Sequence, residues 1–363
     1  MKVLVVGAGY AGTIAANRLA KKVKSAEITV LNPRPDFVER VRLHEQVAGT
    51  GAAAVPLASM LGEGITTRVG TVDKIGDGQV ALDDGTSLAF DHLFLAVGST
   101  AVPQPGTVAV GTWEGAQKAR AALAELPGGA AVTVVGGGLT GIETAAEIAF
   151  GRPDLRVRLV GRTIGASLSA GARKRVRTGL ERLRAEVVED TVTRVVPGAG
   201  DGGGDMVHLR AGRRFISDLT LWAVIGSVPD LAARSGLEVD GAGRAVVDGF
   251  LRSVTDPRIF VVGDCAAVPG ARAACATAMP QGAHAADTLA RTVQGRRPKP
   301  YAMGYTGQGV SLGRRDGLLQ VDRGDGTARR LYFAGRAAAV FKERVCRYAK
   351  FGARTAVYTW LRA

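Results

Sequence analysis

Two stretches of the sequence place three glycines where a dinucleotide pyrophosphate would bind. In the first, VLVVGAGYAG, an apolar run ends at Gly7, Gly9 and Gly12, and a helical pattern follows at once. The first glycine permits the bend, the second lets the backbone approach the phosphates, and the third lets helix and strand pack closely. The anion then binds free amides at the helix N-terminus. The predicted site comprises Gly7, Gly9, Tyr10, Ala11 and Gly12.

The same pattern recurs at residues 132–149, VTVVGGGLTGIETAAEIA, about 130 residues downstream. Two glycine fingerprints, each between an apolar strand and a helix, are much less expected by chance than one. We therefore predict two bound dinucleotides, an arrangement that points to electron transfer between them. The second predicted site comprises Gly136, Gly138, Leu139, Thr140, Gly141 and Glu143.

The second strand of the first unit, Ile28–Leu31, ends at Asn32, where dinucleotide folds usually carry an acidic residue that accepts from the ribose hydroxyls. Asparagine can also pair with a hydroxyl, so the departure does not prevent binding. Arg34, Arg40 and Arg42 follow closely, and any of them can neutralise a pyrophosphate. The alternative is a solvated basic loop.

The second strand of the second unit, residues 157–160, ends in Gly161 and Arg162 with no carboxylate. A carboxylate there binds the ribose of NADH and repels a 2′-phosphate, whereas arginine pairs with that phosphate. The sequence therefore favours NADPH over NADH.

The 363 residues suit two domains, and 46% of them are apolar. No apolar run approaches the roughly 18 residues of a membrane span, and VLVV is too short for a signal peptide. We therefore expect a cytoplasmic protein, with peripheral attachment to the inner face of the membrane as an option. Cys265, Cys275 and Cys346 are widely spaced and the four histidines show no ligand spacing, so we expect neither a disulfide scaffold nor a metal site.

The net charge of +14 would attract nucleic acid, an anionic membrane or phosphate-bearing cofactors. Alternatively, arginines simply occupy solvated faces. Nucleic acid is not the partner we expect.

A third motif is RIFVVGDCAAV at 258–268, an apolar strand that ends in Gly263 and Asp264. With these three motifs in this order, residues 1 to about 300 resemble the two-dinucleotide-binding-domain flavoproteins, and most closely type II NADH dehydrogenases and apoptosis-inducing-factor-like reductases. The resemblance implies an α/β fold with two Rossmann-like domains and a C-terminal cap. Its expected parts are an FAD domain at 1–103 and 247–303, an NAD(P) domain at 104–246, and a cap at 304–363.

The resemblance also implies roles for individual residues. Gln281, in MPQGAH at 279–284, would lie at a helix start that points at the isoalloxazine and stabilise charge on the reduced ring. Glu143 would lie close to nicotinamide and flavin as an orienting group, or else be a first-turn glutamate favoured by the helix dipole. The remaining FAD contacts implied are Asn32 at the ribose, Val72 at the adenine, Gly98 beside the flavin, Gly263 and Asp264 at the ribityl chain and phosphate, and Arg34 or Arg42 at the pyrophosphate.

The implied function is an FAD-dependent NAD(P)H:acceptor oxidoreductase, in which hydride passes to the flavin and electrons then reach a quinone or other aromatic acceptor. The region near residue 45 reads LHEQVAG, so it holds no redox-active cysteine pair, and Cys275 has no partner in sequence. Two alternatives stay open. One is a reductase for a ferredoxin-like carrier, and the other is a redox-switched flavoprotein that binds nucleic acid or a membrane.

Beyond residue 300, GQGVSLGRRDGLLQVD predicts a hairpin, and PGAGDGGGD at 197–205 predicts a hairpin loop. Residues 336–363 interleave basic with apolar and aromatic side chains, the pattern of a basic amphipathic helix. Such a helix suits an anionic membrane surface, a homodimer interface or packing on the flavin domain equally well.

Overall fold

The computed structural model describes residues 1–198 and 204–361. The strands are β1 Lys2–Val6, β2 Glu27–Asn32, β3 Asp36–Val38, β4 Ala54–Pro56, β5 Ile65–Val69, β6 Val72–Ile75, β7 Gln79–Leu82, β8 Ser87–Ala89, β9 His92–Leu95, β10 Val108–Ala109, β11 Ala131–Val135, β12 Arg156–Gly161, β13 Glu186–Glu189, β14 Val192–Val196, β15 Asp205–Leu209, β16 Arg214–Ser217, β17 Leu219–Trp222, β18 Ala245–Val246, β19 Ile259–Val261, β20 Ala266–Ala267, β21 Gly307–Ser311, β22 Gly317–Asp322 and β23 Ala328–Ala334. The helices are α1 Tyr10–Lys22, α2 Leu43–Ala48, α3 Trp113–Glu125, α4 Leu139–Gly151, α5 Ala170–Arg182, α6 Leu231–Arg234, α7 Cys275–Val293 and α8 Arg336–Thr355.

The first sheet is parallel, in the order β19-β9-β1-β2-β5. Its central strand is buried from Val3 to Val6, because helices cover both faces of a parallel sheet and its strands are then apolar throughout. Helices α1 and α7 pack closely, since a Cβ at Gly282 would lie 2.2 Å from the Ala11 carbonyl oxygen. The fold class predicted from the glycine motifs is confirmed by this sheet and the next one.

The second sheet is also parallel, in the order β10-β17-β11-β12-β13, and it has its own hydrophobic core. One segment assigned to this domain from the sequence packs elsewhere: Leu231, Leu237 and Ala245 lie in the core of the first sheet. We therefore propose that the chain returns to the first domain before residue 231, earlier than the predicted boundary at 246.

Two small antiparallel sheets, β6-β7-β8 and β14-β15-β16, flank the parallel ones. The first of these runs from Val72 to Ala89, whereas the preceding strand Ile65–Val69 pairs in parallel with β2. The loop predicted at 197–205 falls largely outside the described residues. Its flanking strands β14 and β15 pair antiparallel.

The C-terminal segment forms the antiparallel sheet β21-β22-β23 and helix α8, and it contacts both domains. The expected hairpin is β21 and β22, and the expected amphipathic helix spans 336–355, after which Ala356 is left-handed with φ +56°. Asn17 of α1 connects it to the first domain, donating to the carbonyls of Met60 and Ala353 at 2.8 Å each and accepting from Gly62 N at 2.8 Å. Within the described ranges, no helix is long and apolar enough to cross a membrane.

Replacing Asn17 with alanine should destabilise the protein. Asn17 is 3% exposed, so the change leaves two carbonyls and one N–H buried without partners, at a cost on the order of 2 kcal/mol. Urea unfolding of N17A measures this, with the exposed Gln79→Ala as the matched control. Equal midpoints for the two variants would contradict the assignment.

Candidate functional site: two dinucleotide cradles

The first glycine turn has one open side. Gly7 has φ +99° and a Cβ there would lie 2.5 Å from the Ala96 carbonyl oxygen, while a Cβ at Gly12 would lie 1.9 Å from the Gly7 oxygen. A Cβ at Gly9, in contrast, meets no described atom within 4 Å. Tight packing therefore fixes the outer glycines, and the middle one faces free space.

The second turn repeats this geometry. A Cβ at Gly136, φ +138°, would lie 2.9 Å from the Ala223 oxygen, one at Gly141 would lie 1.8 Å from the Gly136 oxygen, and one at Gly138 meets nothing described within 4 Å. Helices α1 and α4 begin directly after the middle glycines, with no side-chain cap and no acidic residue in the first turn. Their free amides and positive ends fit an anionic pyrophosphate at each turn. Next to them, Tyr10 and Ala11 are buried, and Leu139 and Thr140 are half-buried.

A polar cluster lies at the carboxyl end of β19. Asp264 Oδ2 accepts from Ser99 Oγ at 2.6 Å, and Gly263 N donates to Gln281 Oε1 at 2.7 Å. Arg40 donates to the Ser99 carbonyl at 2.8 Å. Burial lowers the pKa of Arg40, and Asp264 opposes that shift. Asp264, Gly263, Gln281 and Ser99 line a cavity of about 150 Å³, and Gly98, with φ +70°, immediately precedes Ser99.

The three arginines after β2 have separate roles. Arg40 is the one whose contacts reach this cavity. Arg34 pairs with Glu114 at 2.5 Å, and Arg42 Nη1 lies 3.1 Å from Glu45 and 2.9 Å from Glu343. Burial opposes the charge of Arg42, yet these carboxylates raise its pKa above the ordinary value. Contacts of Arg34 and Arg42 with a pyrophosphate stay predictions.

Asn32 and Val72 have protein partners already. The Asn32 side chain accepts from Ala8 N at 3.1 Å and donates to the carbonyls of Arg34 at 2.7 Å and Asp36 at 3.2 Å, so it braces the glycine turn against the next loop. The Val72 carbonyl accepts from Arg234 at 3.2 Å. Their contacts with FAD stay predictions.

The helix expected to start at Met279–His284 begins earlier, at Cys275, so that expectation is wrong by four residues. The alanine-rich run before Pro280 favours a helix, and the helix continues through the proline. Gln281 therefore lies within the helix and is 1% exposed. It contacts the site with its side chain, because its Oε1 accepts from Gly263 N.

Glu143 lies where both domains meet the C-terminal segment. Its Oε1 accepts from Ser311 N at 2.8 Å and Ser311 Oγ at 3.0 Å, and it forms a buried ion pair with Lys342 of α8. Burial would raise the pKa of Glu143, but Lys342 and the Ser311 N–H hold it below its ordinary value. Burial likewise opposes the charge of Lys342, and Glu143 keeps the lysine pKa raised. Both groups are charged at neutral pH.

His44 completes this cluster. Its Nε2 lies 3.3 Å from Ser311 Oγ, and its Nδ1 lies 3.9 Å from Glu143 Oε2. Burial lowers the pKa of His44 to about 4, with Glu143 opposing the shift, so the ring is neutral at pH 7. Sequence reasoning missed the roles of His44, Ser311 and Lys342. The available signal was Lys342, a basic residue at an inward position of an amphipathic helix.

The cysteines lie closer than their spacing suggests. Cys275 begins α7 and Cys346 lies on the neighbouring α8. Burial raises the pKa of the Cys275 thiol to about 12, and nearby Cys346 raises it further. Cys265 packs against the first sheet, and its Sγ donates to the Leu95 carbonyl at 3.6 Å. These thiols are protonated at neutral pH and are poor nucleophiles.

Arg162 directly follows β12 and is exposed. In the part of the chain that the structure describes, its guanidinium has no ion pair. The nearby Glu189 carboxylate accepts from Ile164 N at 3.2 Å and pairs with Arg177 at 3.1 Å. Among the described residues, no group of three or more His, Cys, Asp or Glu side chains is arranged to hold a metal ion.

A family model described as pyridine nucleotide-disulphide oxidoreductase matches residues 1–289. The chain belongs to that family. It is therefore an oxidoreductase with Rossmann-type dinucleotide binding, and this family acts with FAD and a pyridine nucleotide.

Individual relatives agree with this family assignment. The chain is 32% identical over 300 residues to an NADH dehydrogenase-like protein of Mycobacterium tuberculosis, covering 73% of each. It is 28% identical over 290 residues to a rubredoxin-NAD(+) reductase of Pseudomonas putida, covering 73% of this chain and 72% of the relative. The sulfide:quinone oxidoreductase structure from Aquifex aeolicus superposes with a TM-score of 0.79 at 17% identity, covering 97% of this chain and 91% of that one. The likeness in fold thus extends past residue 300.

The middle glycines should separate folding from binding. Gly9→Ala adds a methyl only to open space, so we expect a normal melting temperature but FAD affinity at least about tenfold weaker, because the methyl occupies the phosphate's approach. Gly138→Ala is the matched control and should weaken only the binding of NAD(P)H. Flavin retention and nucleotide titration distinguish them, and unchanged FAD affinity in G9A would refute the first cradle.

Acidification should destabilise the fold through His44. Its pKa is about 4 in the folded chain and near 6.5 when unfolded, so the unfolded state binds more protons between those values. Stability should therefore fall as the pH drops from 6.5 to 4, by on the order of 3 kcal/mol from this residue. In denaturant unfolding, the free energy of unfolding of His44→Gln should fall less between pH 6.5 and pH 4 than that of the control His208→Gln. Identical pH profiles would contradict the prediction.

Proposed function

We propose that this protein is an FAD-dependent NAD(P)H:acceptor oxidoreductase. The observation that carries the proposal is that both glycine turns are open at their middle residue, one in each parallel sheet, while Glu143 of the second unit is held between the domains. The first cradle would hold FAD and the second the pyridine nucleotide. Bound FAD would supply the hydride-accepting chemistry.

The first cradle binds through backbone and paired polar groups. Amides at the start of α1 would hold the pyrophosphate. Asp264, oriented by Ser99, would accept from a ribityl hydroxyl, and Arg40 would contribute positive charge through the same cluster. Gln281 fixes the Gly263 amide, so this edge of the site is rigid.

The second cradle orients the nicotinamide. Glu143 is anchored by Ser311 and Lys342, so its carboxylate is fixed and negatively charged. Because its pKa is held low, Glu143 carries no proton to transfer near pH 7. Its role is to orient the nicotinamide by accepting a hydrogen bond. Catalysis then comes mainly from proximity and orientation.

For the acceptor we propose a quinone or other aromatic compound. The half-buried thiols of Cys275 and Cys346, whose pKa values are raised by desolvation, support direct transfer to an external acceptor with no thiol relay. The second candidate is a small electron-carrier protein, favoured by the likeness to a rubredoxin-NAD(+) reductase and by the basic charge that an acidic carrier would complement.

The test of the proposed function is anaerobic mixing of the purified, FAD-loaded protein with NADPH and with NADH. Bleaching of the flavin absorbance is expected with at least one of them, and reoxidation by a soluble quinone should outpace reoxidation by a rubredoxin. A colourless protein that takes up no FAD would overturn the proposal, and faster reoxidation by rubredoxin would select the second candidate.

Arg162 should set the choice of nucleotide. Arg162→Glu replaces a partner of the 2′-phosphate with a repelling charge, so kcat/KM for NADPH should fall roughly tenfold or more relative to NADH. The exposed Arg210→Glu is the charge-matched control. If the ratio of kcat/KM for NADPH to kcat/KM for NADH is unchanged in R162E, Arg162 does not recognise the 2′-phosphate.

Glu143 and Lys342 should act as one unit. Glu143→Gln should slow flavin reduction by roughly 10- to 100-fold, because the fixed carboxylate is lost. Lys342→Met should raise the Glu143 pKa and shift the acid limb of the pH–rate profile upward, with activity recovering at higher pH. Stopped-flow reduction measures both. Glu147→Gln, one turn along α4, is the control, and equal slowing in E147Q would mean a merely structural effect.

A further inference from the structure

The hydroxyl of Tyr10 is buried and has no hydrogen-bond partner among the described residues. Tyr10 is the first residue of α1, directly after the middle glycine of the first cradle, and it is 5% exposed. Its ring packs edge-on against Phe37, with the ring centroids 5.2 Å apart. Buried polar groups in folded proteins are nearly always paired, because an unpaired one destabilises the fold by its desolvation cost. The hydroxyl is therefore a candidate contact for a bound molecule.

The glycine turn itself does not require a tyrosine at this position. In the second cradle the equivalent residue is Leu139, which follows the middle glycine Gly138 and has no polar atom in its side chain. The two turns have the same close contacts at their outer glycines, so a cradle of this geometry forms without a hydroxyl there. A phenyl ring alone would also pack against Phe37. The fold therefore gives no reason for the hydroxyl of Tyr10.

The first turns of α1 and α7 meet at the carboxyl end of β19. A Cβ at Gly263 would lie 3.4 Å from Ala11 Cβ and 3.8 Å from Ala278 Cβ. Ala11 follows Tyr10 on α1, and Ala278 lies in the first turn of α7. Both helices begin with no side-chain cap and no acidic residue in the first turn, so both present free amides and a positive helix end.

The Tyr10 hydroxyl lies near the start of α7. Burial raises the pKa of Tyr10, and Cys275 at the start of α7 raises it further. The phenol is therefore protonated at neutral pH and can donate a hydrogen bond. Burial also raises the pKa of the Cys275 thiol, and the carboxylates of Asp264 and Glu143 add to that shift. The start of α7 thus lies near both the Asp264 cluster of the first cradle and the Glu143 cluster of the second.

We propose that the Tyr10 hydroxyl donates a hydrogen bond to the ring of the bound flavin. This inference rests on the proposed function, in which the first cradle holds FAD with its ribityl chain at Asp264 and the nicotinamide lies beside Glu143. A flavin ring that reaches from the first cluster to the second would pass the start of α7. The ring carries carbonyl oxygens and nitrogens that accept hydrogen bonds, and these are the atoms that a buried phenol lacks here.

The hydrogen bond of Tyr10 would make the flavin easier to reduce. Hydride transfer from the pyridine nucleotide leaves the flavin ring with a negative charge, and a donor stabilises a charged acceptor more than a neutral one. The uncapped N-terminus of α7 acts in the same direction. The exclusion of water around Tyr10 strengthens both interactions. Tyr10 would therefore raise the reduction potential of the bound FAD.

Tyr10→Phe tests the proposal, because it removes the hydroxyl and keeps the ring against Phe37. The midpoint potential of the flavin is measured on the FAD-loaded protein by anaerobic equilibration with redox dyes. We expect it to be about 30 mV lower in Y10F, which is a tenfold loss in the stabilisation of reduced over oxidised flavin for a two-electron couple. The absorption spectrum of the oxidised flavin should change as well.

Two further variants make the result specific. Tyr10→Leu, which copies Leu139 of the second cradle, should lower the potential as Y10F does. Tyr332→Phe removes a hydroxyl from β23, on the C-terminal sheet, and is the matched control. Its flavin should keep the potential and the spectrum of the unaltered protein.

The proposal is overturned if the potential and spectrum of the flavin in Y10F match those of the unaltered protein, or if Y332F shifts them equally. It is also overturned if Y10F changes only KM for a soluble quinone, because the hydroxyl then contacts the acceptor. Failure of the proposed function looks different, since the unaltered protein would then take up no FAD or would not bleach with either nucleotide. That result would overturn both proposals, whereas an unshifted Y10F potential in a working reductase overturns this one alone.

Discussion

The arrangement of this protein depends on a buried ion pair, Glu143 with Lys342, that joins the second nucleotide-binding unit to the C-terminal helix. Burying two charges is costly unless each is paired and hydrogen-bonded, and here Ser311 donates twice to the same carboxylate. Removing one partner would leave the other charge buried alone. The pair therefore fixes where α8 can lie.

Other ion pairs extend this constraint to the first domain. Lys350 of α8 pairs with the buried Glu39 at 2.9 Å, and Arg314 of the C-terminal hairpin pairs with the buried Glu147 at 2.6 Å. Each is a contact between the C-terminal segment and one of the two domains. The segment thus connects both Rossmann units, so their relative position does not depend on the linkers alone.

The sequence predicts the local parts of the structure and misses the distant pairings. The third glycine of each turn packs against the first glycine of the same motif, so this part of both turns is visible in the sequence, whereas the first glycines also pack against the distant Ala96 and Ala223. In contrast, Lys342 lies 199 residues from Glu143, and no local pattern connects them. Arg40 cannot be distinguished from Arg34 and Arg42 by spacing, since the fold decides which of them faces Ser99.

The charge of +14 has a structural explanation in part. Half of it lies in residues 328–361, where arginines line an apolar helix face, so it is not spread evenly over solvated surfaces. The inner side of that helix carries the lysine that anchors Glu143. One element thus pairs with Glu143 on one side and presents an external surface on the other.

The central claim is that two cradles on one chain pass electrons between dinucleotides with no thiol as an intermediate store. Anaerobic reductive titration of the FAD-loaded protein with NADPH or NADH tests it most directly, because the equivalents consumed count every two-electron centre. We predict complete bleaching after one equivalent per bound FAD. Consumption of two equivalents, with the second abolished in Cys346→Ser, would show that Cys275 and Cys346 take part and would contradict the claim.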